Sequence, residues 1–301
     1  MHNNSEDKNI DINLNEFFSV LYNKKGLIFI LTTIFACVSV AYSLNLPNIY
    51  KSKAVLASVS SSDSMSSMPQ SLSSAASMMG FGMSGYSNSS KTQEAIKRIK
   101  SFDFFNNYFL PRVKLEDIVA VESWDSEKNE IIYASSLYDP EKKMWVSNKT
   151  KPTPREAYQI YIDNLSVTLD AQFIDISIIH KSPLIAKKWL DLIIININES
   201  MREIDKINSE NAILFLNESL KNTNVQSLKI VISNLLESQM KTLMLAESNE
   251  SYVLTIIDSP FIPEKQFYPN RALICILGTV LGFILGIFIS LIIYFKENSN
   301  R

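Results

Sequence analysis

The sequence predicts an α+β fold in which two transmembrane helices bracket an α/β base domain with a long, protruding amphipathic helix. Three observations predict it. Residues 26–46 and 272–295 carry no charge, and helices of that length cross a hydrocarbon core of ~30 Å. Strand-like runs occupy both ends of the intervening 47–271 loop. From Leu184 to Ser259 there is neither Gly nor Pro, and apolar residues recur there at helical spacing.

The division of the chain follows. Residues 1–25 form a tail, 26–46 the first span, 47–271 the domain, 272–295 the second span and 296–301 a short second tail. The first span is too long for a cleaved leader, and Leu46-Pro47-Asn48 is a poor cleavage site. Lys24 and Lys25 abut the first span and Lys296 abuts the second, which favours both tips in the cytoplasm. Lys51, Lys53, Lys265 and Arg271 argue weakly the other way, and a loop this long translocates largely regardless of its charge.

Composition excludes more than it suggests. A net charge of −2 gives no hint of nucleic acid. Both cysteines, Cys37 and Cys275, lie inside the spans, so the loop between has none and reveals no redox compartment.

Before the first span, Leu14, Phe17, Phe18 and Leu21 recur at helical spacing, as in a short helix lying on the membrane face. After Pro47, IYKSKAVLASVS reads as a strand through Tyr50, Ala54 and Val55. Ser60 to Ser90 is rich in Ser, Met and Gly and reads as a loop with at most one short helix. It contains Gly80-Phe-Gly-Met-Ser-Gly85, a G-x-G-x-x-G match. No buried strand precedes it, so the context that would hold a dinucleotide is missing.

Lys91–Phe109 reads as one amphipathic helix with Ile96, Ile99 and Phe102 on one side. DIVAVESWD and NEIIYASSLYD read as short strands, and Pro152 and Pro154 introduce a helix, REAYQIYIDNL. LSVTLDAQFIDISIIH reads as two strands. Ser182-Pro183 then supplies an N-cap and a first helical residue.

The apolar stripe of the long helix is Leu190, Ile194, Ile197, Met201, Ile204 and Ile207, with Glu199, Arg202, Glu203 and Lys206 between. Pro183 to Lys221 as one helix reaches ~58 Å, longer than the roughly 45 Å across a compact domain of this size. The stripe therefore calls for a returning helix, a neighbouring subunit, or both; a break near Asn208 or Asn211 is the alternative. Asn222-Thr-Asn224 divides the helical region of about 183–248. SYVLTIIDSP is the last strand, and Pro260, Pro263 and Pro269 stiffen the connection to the second span. Gly278, Gly282 and Gly286 place three glycines on one face of that span, where a backbone can approach the first span or a neighbouring subunit.

No residue pattern carries catalysis. Histidines occur only at His2 and His180, which leaves no metal-ligand spacing. Ser238-Gln-Met-Lys241 matches S-x-x-K, but Met240, Leu243 and Met244 mark it as helix surface. No cofactor is expected, and no enzyme activity.

Taken in order, DINLNEFFSVLYNKK, IYKSKAVLASVS, ISIIHKSPLIAKKWLDLIIININESMRE and IDSPFIPEKQFYPNRALICILG resemble the polysaccharide co-polymerases of the chain-length-determinant type (Wzz-like proteins). The resemblance implies a bacterial inner-membrane protein whose 47–271 domain lies in the periplasm. It implies a homo-oligomeric ring in which long helices line a protruding bell, and a polysaccharide polymerase and lipid-linked glycan as partners. It further implies a non-catalytic regulator of O-antigen-type lipopolysaccharide or a related glycan, in the form without a fused kinase. A membrane adaptor for glycan export and a two-span periplasmic sensor are the alternatives. A sensor needs an output module, which neither tail is long enough to supply.

Overall fold

The computed structural model describes residues 22, 24–59, 88–146, 151–170, 173–249 and 251–299. The chain divides into two compact units, residues 1–47 with 267–301, and residues 48–266. The amphipathic stretch at Leu14–Leu21 and the Gly80–Gly85 match lie outside the described residues, as does the Ser60–Ser90 loop up to residue 87.

The first unit opens with α1, Lys25–Asn45. The second unit begins with strand β1, Tyr50–Ser58. Helix α2 follows over Asn88–Ile99, with a short α3 over Phe102–Phe104 running into a π turn, Phe105–Phe109, and a 3-10 turn, Leu110–Arg112. The expected single helix over Lys91–Phe109 is thus two. Ser101 is extended and its hydroxyl accepts the Phe104 N–H at 3.2 Å, so a second N-cap restarts the helix. The restart and the π turn let Phe104, Phe105 and Phe109 all reach the core, which a single straight helical stripe would not do.

A second departure comes next. DIVAVESWD is not one strand: Leu115–Val119 forms α4, and only Val121–Asp125 is strand β2. Glu116 and Asp117 sit in the first turn of α4, where the helix dipole favours acidic side chains. Strand β3, Glu130–Tyr133, pairs with β2, and β4, Tyr138–Asp139, pairs with β5, Met144–Trp145. Between β3 and β4 the Leu137 and Tyr138 amides both bond the Ala134 carbonyl, so NEIIYASSLYD is two strands around a turn.

Helix α5, Pro154–Asn164, starts at a capping box in which Thr153 and Glu156 exchange side-chain and backbone bonds. Strands β6, Leu165–Asp170, and β7, Phe173–His180, complete an antiparallel sheet with strand order β6-β7-β1-β8. Helix α6, Pro183–Asn222, is capped by Ser182, and α7, Gln226–Ser248, returns after a break at residues 223–225. Strand β8, Leu254–Asp258, is a sheet edge.

One face of the sheet is apolar and covered. Ala54, Leu56, Val167, Ile174, Ile176 and Ile178 are buried there beneath α6, which packs on β1 and β7. The other face carries polar residues, including a Lys53–Asp175 pair at 3.2 Å, as expected for an antiparallel sheet with one solvated side.

Helix α8, Arg271–Ser299, belongs to the first unit and packs on α1. The contacts run antiparallel, from Gly278 at Ser39 to Gly286 at Ile28. Both helices are long and apolar enough to cross a membrane. Only 17% and 11% of their apolar windows are buried, which sets them apart from core helices of a soluble protein.

Candidate functional site

Among the described residues no group of three or more His, Cys, Asp or Glu side chains is placed to hold a metal. Ser238 is half-buried and Lys241 exposed on α7, so the S-x-x-K match lies on a helix surface. The features that stand out are two helix pairings and the joints that hold them.

The first pairing is the α6–α7 hairpin. The stripe read from the sequence as an oligomer or helix seam divides in two. Leu190, Ile194, Ile197 and Met201 are buried in the core of their own unit, because the first half of α6 lies over the sheet. Those four positions need no neighbouring subunit. Ile204 is half-buried and Ile207 is 50% exposed. Farther out, Ser209 and Leu216 on α6 and Ala246 on α7 are the buried positions of the hairpin, and Lys206 pairs with Glu247 across it at 3.1 Å.

The hairpin keeps apolar side chains on the outside. Leu214 is 70% exposed and Met244 67%, and Phe215, Ile230 and Met240 are exposed with them. Of these, only Met240 and Met244 stood out in the sequence, as helix surface beside Lys241. The spacing of Leu214 from Ile207 was legible, but period alone does not tell which stripe a sheet will cover.

Three joints fix the base of α6. Asp205 accepts from Lys91 Nζ and from the Tyr252 hydroxyl, each at 2.6 Å, tying α2, α6 and the approach to β8. Burial first, and the Asp205 carboxylate second, push the Tyr252 phenol well above its usual range. Asn198, buried on α6, bonds the main chain at Val253 and Leu254. His180 ends β7 and bonds the main chain of Asp117 and Ser182.

The second pairing is α1 with α8. A Cβ on Gly278 would overlap Ser39 Cβ, one on Gly282 would lie 2.5 Å from Phe35 Cβ, and one on Gly286 would lie 3.2 Å from Ile28 Cα. All three glycines therefore face α1 at near backbone contact. Of the three prolines, Pro260 and Pro263 are buried while Phe261 and Ile262 between them are exposed. Ser52 holds that segment by donating to the Phe261 carbonyl at 2.9 Å. Pro269 follows a cis bond from Tyr268 in the other unit.

These parts define a class: a chain with two membrane-length helices whose α+β unit carries a long helical hairpin. Residues 10–109 match the family model described as Wzz, chain length determinant protein. Over that stretch, about a third of the chain, the sequence is similar to the chain length determinant family. Among solved structures it is similar to a full-length bacterial polysaccharide co-polymerase at 12% identity, with a TM-score of 0.43, covering 96% of this chain and all of that one. It is also similar to a fragment of WzzB, a polysaccharide co-polymerase from Salmonella Typhimurium, at 13% identity with a TM-score of 0.32, covering 73% of this chain and all of that one. No curated protein matches it.

Proposed function

We propose that this chain sets the length distribution of a surface glycan, of O-antigen type or a related one, without making or breaking glycosidic bonds itself. The observation that carries this reading is the chain-length-determinant match over residues 10–109. In this reading the 48–266 unit lies in the periplasm, and the two apolar helices hold it at the bacterial inner membrane. Several copies stand side by side as a ring and bias a separate polymerase acting on a lipid-linked glycan.

Two features support the assembly part. Leu214, Phe215, Ile230, Met240 and Met244 present an apolar surface on the hairpin. Exposed apolar surface that is spread along an element, rather than scattered singly, marks contact with another protein. The glycine-faced pairing of α1 with α8 uses Gly278, Gly282 and Gly286 inside one chain, which leaves the ring to the hairpin and the base. Raising expression stepwise in the host and resolving its surface glycan on a gel tests the reading. A dose-dependent shift of the length distribution supports it; a distribution indifferent to dose sinks it.

A further inference from the structure

The joint between β7 and α6 has a chemistry of its own. His180 is the last residue of β7 and is 8% exposed. Its Nε2 lies 2.9 Å from the Asp117 main-chain oxygen, and its Nδ1 lies 2.9 Å from the Ser182 main-chain nitrogen. A carbonyl can only accept and an amide N–H can only donate. The two bonds therefore require the neutral ring with its proton on Nε2 and its lone pair on Nδ1. Ser182 is in turn the N-cap of α6, its hydroxyl facing the Ile185 N–H. One imidazole thus ties α4 to the N-cap of the long helix α6.

On balance the surroundings favour the neutral ring, burial outweighing the nearby Asp117 carboxylate. Trp189 of α6 stands edge to face against the ring with centroids 4.7 Å apart. The titratable groups around it are Asp117 from α4, Tyr50 opposite it in the β1–β7 ladder, and Lys181 beside it. The Asp117 carboxylate is engaged by the Tyr133 hydroxyl at 2.6 Å, and the Lys181 ammonium by the Val121 carbonyl at 2.6 Å. A proton on Nδ1 would point at the Ser182 N–H, setting donor against donor.

We propose that His180 is a proton-operated latch on the start of α6: neutral, it holds Ser182 and Asp117 together, and protonated, it releases the Ser182 amide and frees the first turn of the helix. Burial, the largest influence on the ring, pushes its pKa below the ordinary histidine value. The closed joint therefore binds the proton less well than the open one. Closure is complete above about 6.5, the ordinary value, and weakens as pH falls below it. Because α6 starts at this joint and then runs over the sheet, acid alters how firmly its first turn is held.

The chain has two histidines, so the test is direct. The full-length protein, labelled with 15N-histidine and held in lipid nanodiscs, is titrated by NMR with His2 as the internal reference. In parallel, amide exchange over residues 182–190 is followed by mass spectrometry and corrected for intrinsic rates. At pH 7.5 His180 is expected as the Nε2–H tautomer, titrating below His2. Exchange over 182–190 is expected to rise roughly tenfold per pH unit below about 6.5, while helix α5 at 154–164 stays unchanged. His180→Asn should lose that acid increment; if it does not fold, the wild-type titration decides alone. A His180 that titrates together with His2, or exchange over 182–190 that is flat between pH 7.5 and 5, overturns the latch.

Discussion

Asn198 and Leu254 bond each other as two paired strand residues would. The Asn198 Nδ2 donates to the Leu254 carbonyl at 2.9 Å, and its Oδ1 accepts the Leu254 N–H at 3.0 Å and the Val253 N–H at 2.9 Å. The same Nδ2 also reaches the Ile194 carbonyl at 3.2 Å. A side chain of the long helix thus closes the outer edge of β8, where a further strand would otherwise pair.

Removing that amide should be costly. Asn198→Leu leaves the Val253 and Leu254 amides and the Leu254 carbonyl buried without partners, at about 1–3 kcal/mol for each group and less than additively. A loss of ~3–5 kcal/mol is expected, read as a lowered urea midpoint of the purified protein. A midpoint within error of wild type would mean that β8 is held by the sheet alone.

The glycine-faced helix pair should be intolerant of any side chain. A Cβ at Gly282 would crowd Phe35, so Gly282→Leu should push α8 off α1 without unfolding the 48–266 unit. Gly26 has nothing within 4 Å and serves as the control through Gly26→Ala. Combining Gly282→Leu with Phe35→Ala should recover part of the lost heat resistance in detergent. Strict additivity of the two changes would show that the residues do not meet.

Two substitutions on α6 should separate folding from assembly. Ile197 is fully buried, and Ile197→Asp would place a charge in an apolar core at a cost of several kcal/mol. Leu214 is 70% exposed, so Leu214→Asp should change unfolding by less than ~0.5 kcal/mol. If the outer face of the hairpin meets a neighbouring copy, Leu214→Asp should shrink the particle measured by light scattering, with detergent mass subtracted. Unchanged particle mass would remove the hairpin from the interface.

Topology has its own reporter test. A phosphatase fused after Gly85 should be active and one fused after Arg301 inactive. The reverse pattern would put the base domain in the cytoplasm.

Much of this architecture was legible because it depends on local signals. Uncharged runs located α1 and α8 to within a residue at the flanking Lys25 and Arg271. Ser182-Pro183 marked the start of α6, and Asn222-Thr-Asn224 its end, since caps and period act within a turn or two of themselves. What escaped the sequence depends on partners far along the chain. Nothing near Asn198 says that its amide will meet residues 253 and 254. The stripe from Leu190 to Met201 called for a returning helix, a neighbouring subunit, or both, whereas the sheet, built from both ends of the loop, covers it. The break at Ser101 was missed because a good N-cap residue inside a helical period is read as surface unless the core behind it is known.

The central claim is that this chain regulates a polymer made by something else. A polymerase lost by deletion leaves no polymer, because its bonds never form. A regulator lost by deletion leaves synthesis running and loses only the control of length. The direct measurement is the gel profile of surface glycan in the host strain with the coding sequence deleted, and again with it restored. The account predicts that deletion replaces a modal cluster of bands with a ladder falling steadily from short to long, and that restoration returns the cluster. No polymer at all, or a modal cluster that survives deletion, would contradict it.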